Sequence, residues 1–152
     1  MRFIKLFLAV LLIPISQPTA ATAANYKGVQ ELMFVDKIPM DDLYNLSIIL
    51  QRCAGLYGAY AKFLPSDMKA EKEKLLNVSM LLLMKSMQAM AKKRGLQIDS
   101  KAVVDPIDKA FDIYVDVYYD HMENTKIMTG SMYDEFFEGE EDVCSNVYEA
   151  AK

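Results

Sequence analysis

The chain has 152 residues, suited to one domain with a single core, and carries 17 basic against 21 acidic side chains for a net charge of −4. That balance argues against nucleic acid, whose phosphates reward basic patches, and against an anionic membrane surface. With 53% hydrophobic residues and only 6 glycines, the composition also argues against a disordered body.

Residues 1–23 have the three-part build of a secretory signal peptide. Arg2 and Lys5 give a positive start, residues 7–13 are an unbroken apolar run, and Pro14 and Pro18 precede the small residues 19–24. Ala21 and Ala23 stand where a signal peptidase reads, so cleavage is predicted after Ala23. The apolar run falls short of the ~20 residues that span a bilayer. The most apolar later stretch, residues 75–84, is bounded by Lys74 and Lys85. The expected product is an exported protein, in a bacterial periplasm or secreted, with no stable membrane insertion after cleavage. Loss of Arg2 and Lys5 leaves 15 basic and 21 acidic residues, a net of −6.

Residues 24–40 read as an N-terminal arm. Its apolar cluster Leu32, Met33, Phe34 and Val35 is expected to dock on the body, and Pro39 stops any helix there. Residues 41–152 read as the helical domain. A first helix is predicted over residues 41–64, opened by Asp41 and Asp42. Leu43, Leu46, Leu50, Cys53, Tyr57, Tyr60 and Leu64 alternate spacings of three and four, a heptad seam. Gly55 and Gly58 each cost about 1 kcal/mol of helix propensity, which points either to close helix packing or to a local break. A second helix is predicted over residues 67–94, with Leu76, Met80, Leu83, Met87 and Met90 as its seam and Gly95 as its stop.

The third helix, over residues 105–126, is expected to use Asp105 as N-cap and Pro106 as its first helical residue. If residues 100–104 add an earlier turn, Pro106 becomes an interior proline. The fourth helix is predicted over residues 131–150 from a capping-box-like Ser131 and Asp134, weakened in its middle by Gly139 and Glu140. Strand signals are nearly absent. The expected fold is all-α, an antiparallel up-down four-helix bundle with one inter-helix disulfide.

That disulfide joins Cys53 and Cys144, the only two cysteines, because export places them in an oxidising compartment. Their heights in the bundle agree. Cys53 lies 11 residues before Leu64 and Cys144 lies 12 after Met132, about 16 and 18 Å from the same end. The pair is too far apart in sequence for a Cys-x-x-Cys redox motif.

No motif points to catalysis or to a resident cofactor. Haem attachment needs Cys-x-x-Cys-His, a di-iron bundle needs two Glu-x-x-His pairs, and structural zinc needs four ligands at short spacing. The single histidine, His121, supports none of these and reads as a surface or interface residue. Met80, Met84 and Met87 could offer thioethers to a soft metal such as copper, but their periodicity reads as core. Asp108, Asp112, Asp116 and Asp120 form an acidic ladder at a spacing of four. Its readings are a solvated face, pairing of Asp105 and Asp108 with Lys92, Lys93 and Arg94, or a site for a cation or basic partner. Tyr57, Tyr60, Phe111, Tyr114, Tyr118, Tyr119, Phe136 and Phe137 sit at core spacing and could also line a pocket.

The resulting expectation is a non-enzymatic exported binding or interaction module, a stress-protective chaperone being one version. Its partner would be another exported protein or a small ligand, and the oligomeric state is open. A copper carrier, or a small enzyme built on His121 and the methionine-rich helix, is the alternative.

Overall fold

A computed structural model describes residues 27–152; the predicted signal segment, residues 1–23, lies outside the described residues. The described chain is all-helical and contains no strand. A π-helical turn, Glu31–Val35, is followed by α1 (Leu43–Phe63), α2 (Lys69–Arg94), α3 (Lys101–Thr129) and α4 (Glu135–Ala151).

The helix limits follow from local chemistry. Asp42 caps α1 by accepting from the Tyr44 and Asn45 N–H groups. Lys93 lies 2.7 Å from the same carboxylate. This contact, with the cap bonds, holds Asp42 below the usual carboxylate range. At the other end Leu64 is extended, as a residue before proline prefers. Gly95 (φ 65°) and Gly130 (φ 78°) close α2 and α3 in the left-handed conformation.

The third helix starts earlier than its Asp-Pro signal suggests. It begins at Lys101, which leaves Pro106 inside the helix. A proline has no N–H to offer the carbonyl four residues back, here that of Ala102. Arg94, at the end of α2, supplies the missing donor: its Nη1 lies 2.7 Å from the Ala102 oxygen. The fourth helix starts later than expected. Asp134, and not Ser131, is its cap, accepting from Phe137 N–H at 3.1 Å.

The hub is α1, which packs against α2, α3 and α4. Its residues sort into three faces. The heptad seam looks toward α4: Cys53 is bonded to Cys144, Tyr57 meets Tyr148, and Tyr60 meets Phe137. Ser47, Gln51 and Ala54 face α2. The Ser47 and Ser86 hydroxyls are 2.8 Å apart, and the Ser86 hydroxyl donates to the Ser47 carbonyl at 3.1 Å. Gln51 Nε2 donates to both hydroxyls, and Ser79 donates to the Ala54 carbonyl at 2.9 Å. Gly55 and Gly58 face α3. A Cβ on Gly55 would sit 2.5 Å from Tyr114 Cβ and 3.1 Å from the Tyr114 carbonyl carbon. The glycines therefore mark close approach of α3, and α1 runs through them unbroken.

Gly55→Ala is expected to destabilise by about 1–2 kcal/mol, the overpacking cost outweighing the gain in helix propensity. Gly58→Ala should cost less. The atoms nearest its Cβ belong to side chains, a Val115 methyl at 2.9 Å and the Phe111 ring edge at 3.1 Å, and these yield more readily than the Tyr114 backbone. Urea denaturation of the two variants checks the order; equal losses would mean that the α3 backbone is not the obstacle.

Of the expected α2 seam, Met90 is buried and Leu83 and Met87 pack beside it, but the face toward α1 lies about one residue away. Ser79, Leu82, Ser86 and Ala89 are buried, with Leu75 partly so. Leu76, Met80 and Met84 face outward at 47%, 59% and 52% exposure. Periodicity of the larger apolar side chains misplaced the interface because α1 and α2 meet through serines. Small hydroxyls allow close packing and cross-bond to backbone carbonyls, satisfying themselves in a buried seam. Ser47 and Ser79 also complete two Asn-x-Ser acceptor patterns, at Asn45 and Asn77, and both serines are buried.

Candidate functional site

The arm lies against α4 and α1, which hold it. Glu140, 1% exposed, accepts from the Val29 and Gln30 N–H groups at 2.8 and 2.9 Å and from the Tyr118 hydroxyl at 2.5 Å. These N–H groups open the arm's helical turn, so a side chain in the middle of α4 caps a helix more than 100 residues away in sequence. Gly28 permits the approach: a Cβ there would lie 2.4 Å from Glu140 Oε1 and 2.9 Å from the Phe136 ring. Arg52 donates to the Lys27 carbonyl, and Lys27 pairs with Asp36 at 2.8 Å, closing the arm on itself. Gly139 and Glu140 thus form the arm's seat; Gln30 packs directly over Gly139.

Docking the arm encloses an apolar groove of about 610 Å³. Met33, Phe34 and Met40 of the arm form one wall, Leu43, Leu46 and Leu50 of α1 the floor, and Val143, Val147 and Ala150 of α4 the opposite wall. Along the edge from α2, Lys85, Gln88 and Lys92 recur at spacings of three and four, on one helix face. Among the described residues the two lysines are the only charged ones lining the groove. Neither is paired with a carboxylate among the described residues. The volume lies in the range of small-molecule sites, and so does a mostly apolar lining with a few polar groups.

The side chains singled out from the sequence do not converge on one centre. His121 Nε2 lies 2.8 Å from Asp134, and its ring packs on Phe136 and Phe137 at 4.7 and 5.0 Å. Burial disfavours the Asp134 charge, but the bonds from His121 and Phe137 N–H outweigh it and hold the carboxyl below its usual range. His121 therefore braces the start of α4. Asp108, Asp112, Asp116 and Asp120 are all exposed, and Asp116 pairs with Lys62 of α1 at 2.9 Å. The basic run ending α2 turns elsewhere than to Asp105 and Asp108: Lys93 binds Asp42 and Arg94 binds the Ala102 carbonyl. Met80 and Met84 are exposed, and Met87 is half-buried beside Met90, Ala91, Val103 and Ile107. Among the described residues no three His, Cys, Asp or Glu side chains are grouped to hold a metal ion. No described helix is long and apolar enough to cross a membrane.

The aromatic residues are mainly core. Tyr118 and Phe137 are fully buried and stack near each other at 6.3 Å. Burial, aided by the nearby Glu141, Tyr148 and Glu149 charges, pushes the Tyr57 phenol up to about 12. The groove was missed in the sequence because four separated segments build it. Its one local signal was Lys85 and Lys92, seven residues apart on one face of a helix.

Comparison with protein-family models, curated proteins and solved structures returns no match for this chain.

Proposed function

We propose that this protein is a small exported binding module without catalytic activity of its own: a disulfide-stapled up-down bundle that receives its ligand in the groove beneath the arm. The groove carries the reading. An apolar cavity of about 610 Å³ with a short polar edge is built for recognition. The side chains that could support chemistry, His121 and the aspartates, are spent on a helix brace or stand on the surface. Export follows from the signal pattern of residues 1–23, and the periplasm is the compartment that suits both that pattern and the disulfide.

Native mass spectrometry of protein taken from its own cell envelope tests this directly. The expected result is a chain that begins at Ala24, with an intact disulfide and a bound organic ligand or partner chain. A chain that begins at Met1 would sink cleavage and favour an uncleaved signal anchor. A stoichiometric metal ion would instead favour a carrier built on the methionines.

A further inference from the structure

We propose, resting on the reading of the groove as a binding site, that its ligand is a free fatty acid, with the alkyl chain on the apolar floor and the carboxylate on the Lys85–Lys92 edge. Charge complementarity is the main argument. The chain is acidic overall, and among the described residues the five lysines Lys27, Lys62, Lys93, Lys101 and Lys152 face carboxylates. Lys85 and Lys92 do not, although they flank an apolar cavity where an unbalanced charge attracts an anion. Gln88 stands between them and adds an amide donor for a carboxylate oxygen. Lysine suits this task as a flexible point charge whose apolar stem lies along the groove wall.

Size argues against a peptide helix as the occupant. One helical turn with its side chains fills on the order of 500 Å³, from its pitch and diameter. A groove of about 610 Å³ therefore holds little more than one turn. Recognition of a helix needs anchors from i to i+7. An extended alkyl chain needs no such length of backbone and presents no amide groups to an apolar floor of Leu43, Leu46 and Leu50.

Isothermal titration of the oxidised protein with decanoate, dodecanoate and dodecanol decides the matter. Dodecanoate should bind one to one, and roughly tenfold more tightly than decanoate, as two further buried methylenes require. The double variant Lys85→Gln/Lys92→Gln should weaken dodecanoate about 5- to 10-fold and leave dodecanol unchanged. Ala150→Trp fills the groove from an exposed position and should abolish binding of both probes. If Ala150→Trp blocks both probes but the lysine variant changes neither affinity, the groove binds and the anionic class is wrong. If neither probe binds, or Ala150→Trp has no effect, the groove itself is not the site. Sedimentation as a dimer that Ala150→Trp converts to monomer would assign the groove to a second copy of the chain and overturn the fatty acid.

Discussion

Replacing both cysteines, Cys53→Ala with Cys144→Ala, is expected to lower the unfolding free energy by about 4 to 5 kcal/mol. The bridge closes a sequence separation of 91 residues. Loop-closure entropy alone then puts its effect at about 4.6 kcal/mol. For a domain whose whole stability is about 5–15 kcal/mol, that is a large share. The mechanism has its own signature. The cross-link keeps the unfolded chain compact, so removing it should raise the denaturant m-value as well as lower the midpoint. A loss confined to native packing would move the midpoint and leave m unchanged. Both sulfurs belong to residues at 0% exposure, so a reductant reaches them only through opening of the fold. Urea titration of the variant beside the oxidised protein checks the prediction; a loss under about 2 kcal/mol would show that the closed loop matters little.

The staple also explains what was legible in the sequence. Its partners follow from two cysteines, the predicted export signal and matched helix heights, and the observed limits keep the match to within one residue. Cys53 lies 10 residues before the end of α1 and Cys144 lies 9 after the start of α4. Local signals placed the ends of α1 and α2 equally well, because Asp42, Pro65 and Gly95 each act on the residues beside them.

The misplacements share a cause. A long-range partner satisfied a group that local rules treat as unsatisfied. Pro106 reads as a helix start until Arg94 arrives to bond the Ala102 carbonyl. Ser79 and Ser86 lie off the predicted seam of α2, yet they bond to Ala54 and Ser47 of α1. Glu140 reads as a weak point of α4 until the arm's N–H groups reach it. Each pairing depends on close helix or arm approach, and that in turn on small residues such as Gly55 and Gly28. The groove is legible last of all, since it exists only after the arm has docked.

Glu140→Ala is therefore expected to cost about 3–5 kcal/mol if the arm stays in place. Two backbone N–H groups and the Tyr118 hydroxyl would each lose a buried acceptor, and an orphaned buried donor costs about 1–3 kcal/mol. The arm has a cheaper course, which is to leave its seat and give its N–H groups to water. The loss is then capped by the burial it forfeits, chiefly Val29 at 0% exposure with Leu32 and Met33 beside it. Glu140→Gln should cost less. One amide oxygen can still serve Val29 and Tyr118, but the NH₂ group then faces the Gln30 N–H, donor against donor. Amide exchange at Val29 and Gln30 distinguishes the two courses. Release predicts fast exchange at both in Glu140→Ala, early proteolytic cleavage between residues 27 and 40, and an α1–α2 pair as protected as before. Because Met33, Phe34 and Met40 form one wall of the groove, release should also weaken dodecanoate binding, although Glu140 does not line the groove. Unchanged exchange at Val29 and Gln30 would show that the arm is seated by its apolar side chains and that the buried carboxylate is incidental to it.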